Sequence, residues 1–297
     1  MRLSAEEASD DLHMVRFLNS VRDCMLNSLG ATPIGGLVRD ANGLLASGKM
    51  LRSRMAWHLG SGAGVDPIIL THAAAAIELI HAASLLHDDV IDGGLLRRAA
   101  PTFWRKNGIP GAILLGDLLL FKAVDLTCQV DNGRLTHRLV QLTGEVCEAE
   151  SEQELVLRGH ETDWSTCLSI ARRKTGALFA FIGFSCAGRD AALQSALQEA
   201  GYLIGTAYQI SDDILDVAGD EAVSGKTLGT DAARQKSTAA TAPASLAQDP
   251  ISYIRSAPEK AAALLAPWPA VLASFDRFME LDMQPALDAH VQALLGA

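Results

Sequence analysis

The pattern of apolar and polar positions along the chain predicts a protein built from long helices. None of the ten prolines lies between Gly111 and Ala242, which leaves room for long uninterrupted helices. One helix is predicted to begin at Pro67 and to stop at Gly93–Gly94, and another to run from about Leu193 to Val217. Alanine and leucine dominate while alternating β-branched runs are scarce, so the pattern indicates an all-α fold.

The rest of the pattern predicts one continuous domain over 1–297. Three further segments, 116–130, 138–157 and 165–184, are each long enough for a helix. Residues Ala73 to Leu86 are apolar on nearly every side, which predicts a place in the middle of a bundle. No Gly/Ser-rich linker precedes residue 220, and the small, polar residues that follow predict a flexible flap over about 219–250. Shorter helices are expected at the C-terminal end.

Composition and charge exclude several classes of protein. The 25 basic and 35 acidic residues give a net charge of -10, which argues against broad binding to nucleic acid or to anionic membranes. The five scattered cysteines include no C-x-x-C pair and the N-terminus is acidic, so we expect a cytoplasmic protein without disulfides or zinc. No apolar stretch is predicted to reach the roughly 18 residues that cross a bilayer, the longest candidate being Gly176–Ala187.

Two matching groups of carboxylates follow apolar helical runs. Residues at i, i+3 and i+4 share a helix face, so each group points its side chains in one direction. The groups are Asp88, Asp89 and Asp92, and Asp212, Asp213 and Asp216. No Lys or Arg lies four residues from Asp88 or Asp212, and helix C-termini disfavour negative charge. Hard divalent cations relieve such repulsion and oxygen ligands suit Mg²⁺, so the pattern favours a magnesium site over a solvated acidic face.

Basic side chains near the acidic groups indicate a polyphosphate ligand. Arginine contacts phosphate in a bidentate manner, and lysine acts as a point charge. The candidates are Lys49, Arg52, Arg97, Arg98, Lys174 and Lys226. His81 lies seven residues before Asp88 on the same helix face, where it is either a satisfied core histidine or a donor to a diphosphate. No nucleotide-binding or nucleophile motif occurs, so covalent catalysis has no support.

From about Gly48 to Lys236 the chain resembles the trans-isoprenyl diphosphate synthases, or polyprenyl synthetases. The resemblance rests on GKMLR, IHAASLLHDDVID, RRKTGALF, YQISDDILD and GKTLGTD. It implies an all-α helical bundle around a deep central cavity, usually homodimeric. It also implies an enzyme that condenses isopentenyl diphosphate with an allylic diphosphate to give an all-trans polyprenyl diphosphate.

The resemblance assigns a role to each candidate residue. Three Mg²⁺ ions are expected on Asp88, Asp92 and Asp212, with Asp89, Asp213 and Asp216 as supporting carboxylates. The positions that bind isopentenyl diphosphate are Lys49, Arg52, His81 and Arg98. Those that bind the allylic diphosphate are Arg97, Lys174 and Lys226. Thr175 and Gln209 would face the carbocation and, with Lys174, form the catalytic group.

Product length is predicted from the residues just before the first acidic group. In the family, bulky side chains there stop growth, whereas Ala83 and Ser84 are small and favour a long product, hexaprenyl to decaprenyl. A geranylgeranyl-length product is the alternative, if the tunnel floor lies near Ile80 or on the helix that contains Phe121.

Two other functions remain open at this point. A class I terpene cyclase shares the first acidic group but needs no isopentenyl diphosphate, so the Lys49, Arg52 and Arg98 set argues against it. A non-catalytic partner subunit usually lacks the acidic groups, and this chain has both. The chain also departs from the family pattern, with Met50 and Ser53 where Arg and Pro are frequent.

Overall fold

The computed structural model describes residues 5–30, 32–36, 48–218, 236–238, 241 and 249–295. Nearly all of these residues are helical, and the all-α prediction is confirmed. In chain order the helices are α1 (Ala5–Gly30), α2 (Leu51–Gly62), α3 (Pro67–Ile91), α4 (Phe103–Cys128), α5 (Arg134–Leu155), α6 (Trp164–Ala171), α7 (Ala177–Ser185), α8 (Ala191–Ala218), α9 (Pro250–Leu265), α10 (Pro269–Phe278) and α11 (Gln284–Leu295). A two-residue antiparallel pair, β1 (Leu96–Arg97) and β2 (Ala100–Pro101), joins α3 to α4.

Helix α3 begins and ends where the sequence predicts. Pro67 occupies the first turn, and the preceding Asp66 caps the helix by accepting a 2.8 Å hydrogen bond from the backbone N–H of Ile68. Gly93 follows the helix with a φ of 67°, a conformation that glycine adopts without strain. These local signals fix the end of α3, and therefore the place of the first acidic group.

Helix α7 occupies the centre of the bundle, since each of its residues is buried. It packs against α2, α3, α5 and α8. Its approach to α8 is backbone to backbone: a Cβ atom added to Gly201 would lie 2.5 Å from the carbonyl oxygen of Phe179. One added to Gly183 would lie 2.1 Å from that of Leu197. Glycine is therefore required at both positions for the two helices to lie this close.

The structure departs from the predicted segments at two places. The segment 165–184 is not one regular helix, because a π-helical turn at Arg172–Gly176 separates α6 from α7. Helix α4 begins well before residue 116 and is interrupted at Gly108, whose φ and ψ are 76° and 163°. A second π-helical turn, Met279–Met283, lies between α10 and α11. Such turns occur frequently at functional sites.

The most apolar long helix is α3, and not the Gly176–Ala187 stretch. By length and composition alone α3 could cross a membrane, with a mean hydropathy of 1.6 over 18 residues. Sixty-one per cent of that window is buried inside the fold, as in the core helix of a soluble protein. Most of the expected flap, 219–250, lies outside the described residues, and the single-domain organisation stays a prediction.

Candidate active site

The first acidic group lies at the C-terminal end of α3, beside the short β-hairpin. The carboxylate of Asp89 is buried and accepts hydrogen bonds on both oxygens from Arg97 of β1, at 2.8 to 3.1 Å. The hairpin is held in turn by Thr102 and Trp104, which both donate to the carbonyl oxygen of Gly94. Arg97 is therefore fixed next to the acidic group by a partly buried, bidentate ion pair.

Asp88 and His81 lie on α3 with little exposed surface, and protein atoms surround both side chains. Desolvation raises the pKa of Asp88 to about 7, with Glu150 and Asp92 adding to the rise and Lys174 opposing it. Desolvation also lowers the pKa of His81 well below its ordinary value, and the neighbouring arginines lower it further. His81 is thus a neutral imidazole at physiological pH, with one N–H to donate.

A row of glutamates on α5 faces the basic residues of the π-helical turn. Lys174 forms an ion pair with Glu150, and Arg173 forms one with Glu152. One turn further, Lys236 places its Nζ 2.8 Å from Oδ1 of Asp92 and 3.5 Å from a carboxylate oxygen of Glu154, and its side chain is only 3% exposed. The acidic C-terminal end of α3 therefore lies among cations whose charge is balanced by the glutamates of α5.

The second acidic group lies near the C-terminal end of α8 and is connected to the same π-helical turn. The hydroxyl of Thr175 donates to the side-chain oxygen of Gln209, whose Nε2 donates to Oδ1 of Asp213 at 2.8 Å. The adjacent Lys174 acts electrostatically on Asp88. Two consecutive residues of one turn are thus linked to the two acidic groups, Lys174 by its charge and Thr175 through Gln209, which relates α3 and α8 to a common site.

Cationic side chains form one corner of this site, at the start of α2. The guanidinium of Arg52 is buried and lies 5.0 Å from the centre of the Phe179 ring, and within the described part of the chain its Nε has no hydrogen-bond partner. A Cβ atom on Gly48 would lie 2.8 Å from Nη2 of Arg98, so Arg98 packs directly on the turn that carries Lys49. The corner therefore combines three cations and an orphaned donor, which suits an anionic ligand.

A buried glutamate supports this corner. Glu78 of α3 accepts hydrogen bonds on Oε1 from the hydroxyl of Ser53, at 2.8 Å, and from its backbone N–H, at 3.3 Å. Its negative charge acts on both Arg52 and Arg98. The bond from Ser53 depends on a hydroxyl at a position where the family often has proline, so it is a feature of this chain.

The acidic groups fit magnesium held jointly with a phosphate ligand. Within the described ranges, no set of three or more His, Cys, Asp or Glu residues is arranged to hold a metal by itself. Mg²⁺ commonly binds through one or two carboxylates and completes its coordination with water and phosphate oxygens. The raised pKa of Asp88 marks a desolvated carboxylate that a divalent cation would stabilise in its ionised form.

Comparison with known proteins identifies the family. The polyprenyl synthetase family matches residues 38–260. The chain belongs to this family of transferases. The matched range includes both acidic groups, the π-helical turn with Lys174 and Thr175, and the basic turn at Gly48.

Two relatives whose names give different products are similar in sequence to this chain. A geranylgeranyl diphosphate synthase of Mycobacterium tuberculosis is 36% identical over 239 residues, which cover 74% of this chain and 68% of the relative. An octaprenyl diphosphate synthase of Haemophilus influenzae is 31% identical over 194 residues, 64% of this chain and 59% of the relative. The chain thus spans less than two thirds of the second relative's length.

A solved structure shares the fold. A polyprenyl synthase of Caulobacter crescentus CB15, crystallised with calcium and isoprenyl diphosphate, has a TM-score of 0.73 and 27% identity. The likeness covers 91% of this chain and 94% of that one.

The structure brings most of the predicted site residues together. The hydrogen bonds, ion pairs and electrostatic effects described above link the residues Arg52, His81, Asp88, Asp89, Asp92, Arg97, Arg98, Lys174, Thr175, Gln209 and Asp213. Lys49 is exposed in the turn before α2, and Asp212 acts electrostatically on Tyr208, as do Arg52 and Arg98. Asp216 lies in the last turn of α8, and Lys226 lies outside the described residues.

Two features of the site differ from the sequence analysis. Phe121 is 74% exposed, so this side chain does not form a tunnel floor within its own chain, whereas Ile80 and Ala83 are buried. The sequence analysis does not identify Lys236, Glu150 or Glu78 as candidate site residues. Glu150 and Glu78 could have been found from their helical spacing on apolar faces, but Lys236 contacts Asp92 across 144 residues of chain, a pairing that no local pattern signals.

Proposed function

We propose that this family member is a Mg²⁺-dependent prenyltransferase that condenses isopentenyl diphosphate with an allylic diphosphate and so lengthens an all-trans polyprenyl diphosphate. The main support is the π-helical turn at Arg172–Gly176. Its Lys174 acts electrostatically on Asp88, and its Thr175 is linked through Gln209 to Asp213. Arg52 and Arg98 of the cationic corner act electrostatically on His81, as Arg97 beside the first acidic group does. One diphosphate beside the carboxylates and a second in the corner account for both charge clusters.

The allylic diphosphate is placed at the acidic groups. Asp88, Asp92 and Asp212 would hold the Mg²⁺ ions, with Asp89, Asp213 and Asp216 in support, and the ions supply positive charge to the leaving diphosphate. Lys174 and Arg97 lie beside these carboxylates and are suited to the remaining phosphate oxygens, as Lys226 is by the resemblance. Lys236 can exchange its contact with Asp92 for the same diphosphate.

Isopentenyl diphosphate is placed in the cationic corner, on Lys49, Arg52 and Arg98. Neutral His81 can donate a hydrogen bond to it without adding charge. Ionisation of the allylic C–O bond leaves a carbocation, which the oxygen dipoles of Thr175 and Gln209 can stabilise. The isopentenyl double bond then forms the new C–C bond, and the proton lost from its carbon passes to the released diphosphate.

We further propose that the product is long, hexaprenyl to decaprenyl. Ala83 is fully buried and Ser84 is half-buried, one helical turn from the carboxylates, and neither side chain is bulky enough to stop a growing chain. A geranylgeranyl product is the second candidate, with buried Ile80 as the stop. The relatives include synthases of both kinds, so their names favour neither length.

A product assay tests both statements. The purified protein is incubated with Mg²⁺, labelled isopentenyl diphosphate and, in turn, dimethylallyl, geranyl and farnesyl diphosphate, with a chelator control. A ladder that reaches six or more isoprene units supports a long-chain synthase, and a stop at four supports the geranylgeranyl alternative. Lack of isopentenyl incorporation with every primer would contradict the proposal, and release of a cyclised hydrocarbon would favour a cyclase.

Three accompanying features stay predictions. A homodimer and three bound Mg²⁺ ions follow from the resemblance, and a cytoplasmic location follows from the composition and the cysteines. Sedimentation of the purified protein tests the dimer, and metal titration in the presence of diphosphate tests the number of ions.

A further inference from the structure

A partly buried ion pair joins the C-terminal π-helical turn to helix α2. The carboxylate of Asp282 is 7% exposed, and its Oδ1 accepts a 2.7 Å hydrogen bond from Nη1 of Arg54. Its second oxygen lies 3.1 Å from Nε2 of His58, which is 5% exposed. Because both oxygens have partners, the carboxylate is held in one orientation, and it holds Arg54 in turn.

The same arginine makes a second bond, towards the cationic corner. Nε of Arg54 donates to the backbone carbonyl of Lys49 at 3.0 Å. Lys49 lies in a turn of unusual backbone conformation: φ is 143° at Gly48 and 47° at Met50, and Met50 precedes α2 without a side-chain cap. A non-glycine residue in the left-handed region persists where the surrounding structure over-determines it, and the guanidinium of Arg54 supplies such a constraint.

We propose that Asp282 is a positioning residue for isopentenyl diphosphate, acting through Arg54 on the backbone of Lys49. Arg98 packs directly against Gly48, so the conformation of this turn sets the separation of Lys49 and Arg98. Neither Arg54 nor Asp282 needs to touch the substrate. The inference rests on the proposed function, because it concerns the corner assigned to isopentenyl diphosphate.

The test compares Asp282→Asn and Arg54→Lys with the same two substitutions in a second ion pair, which serve as controls. Arg134 and Asp131 form an ion pair of 2.6 Å with side-chain exposures of 30% and 8%, against 30% and 7% for Arg54 and Asp282. The control pair lies at the opposite end of α5 from the glutamates of the site, roughly 24 Å away along a helix that rises 1.5 Å per residue. Asp131→Asn and Arg134→Lys therefore make the same chemical change in an ion pair formed by the first residue of α5 and the turn before it, and not by α2 or the turn that carries Lys49.

The expected result is a change in one substrate only. Asp282→Asn and Arg54→Lys should raise KM for isopentenyl diphosphate about fivefold to tenfold, with kcat and KM for the allylic primer changed less than about twofold. The control variants should change neither KM value nor kcat. The double variant should be no worse than the poorer single variant, since both act through the same bond.

Amide hydrogen exchange gives a readout that does not depend on turnover. A peptide covering 48–55 should exchange faster in both variants and at the parent rate in both controls. Equal KM in variants and controls, additive effects in the double variant, or unchanged exchange would overturn the inference and leave Asp282 as a brace between α2 and the C-terminal turn. If the parent protein incorporates no isopentenyl unit, the proposed function fails, while the exchange result still decides whether Asp282 holds the Lys49 backbone.

Discussion

Gly201→Ala should lower the free energy of unfolding by about 2 kcal/mol, because it forces α7 and α8 apart. The added Cβ would lie 2.5 Å from the carbonyl oxygen of Phe179, and an ordinary contact at this site needs about 3.4 Å. The obstacle is backbone, which no rotamer change can move, so the overpacking cost should lie near the upper end of its usual range, about 3 kcal/mol. The better helix propensity of alanine offsets about 1 kcal/mol of this overpacking cost.

The assay is urea unfolding, with Gly144→Ala as the matched control. Gly144 lies inside α5, and nothing would lie within 4 Å of its added Cβ, so alanine there should stabilise the protein by about 1 kcal/mol. Separating α7 from α8 also pulls Thr175 from Gln209, and kcat should fall about tenfold or more. The reasoning is refuted if both alanine variants are more stable than the parent, because the helices would then accommodate a methyl group at their closest approach.

Three other perturbations test separate parts of the site. Ser53→Ala removes a hydrogen bond to the buried carboxylate of Glu78, and should lower the free energy of unfolding, measured by urea denaturation, by about 1.5 to 3 kcal/mol. A loss below about 0.5 kcal/mol, roughly the effect of a neutral surface change, would argue against a supporting role for this hydrogen bond. The folded-state pKa of His81 is depressed, so the stability it contributes is present above its unfolded pKa of about 6.5 and is lost as pH falls below it. His81→Gln should therefore flatten the acid side of the stability profile by up to about 1.4 kcal/mol per pH unit, and an unchanged slope would show that His81 takes up no additional proton on unfolding. Ser84→Phe should shorten the longest product seen by chromatography, and an unchanged ladder would place the tunnel away from this face of α3.

The parts of the fold that depend on local chemistry could be predicted from the sequence. Helix α3 begins at Pro67 and ends before Gly93 because capping and termination act within a few residues. The π-helical turn that carries Lys174 was not predicted, since apolar spacing does not distinguish an inserted residue from a regular helix. The close approach at Gly201 was also beyond prediction, because it depends on which helix packs against it.

The same limit applies to the candidate site. The acidic groups and basic pairs are visible as local patterns, and the structure brings most of them close enough to interact. The balancing contacts are not local: Lys236 pairs with Asp92 across 144 residues and Asp282 with Arg54 across 228. Such pairs follow from the tertiary fold, and they decide how the cations are held.

Magnesium-dependent binding of inorganic diphosphate, measured by calorimetry, is the most direct test of the claim that the two acidic groups form one site. We expect one diphosphate to bind only when Mg²⁺ is present, and this Mg²⁺-dependent binding to be lost when a chelator is added. Asp88→Asn and Asp212→Asn should each weaken binding by at least about tenfold, and Asp276→Asn, at an exposed position on α10, should not. The account is contradicted if no part of the diphosphate binding requires Mg²⁺, or if the Mg²⁺-dependent part survives both substitutions.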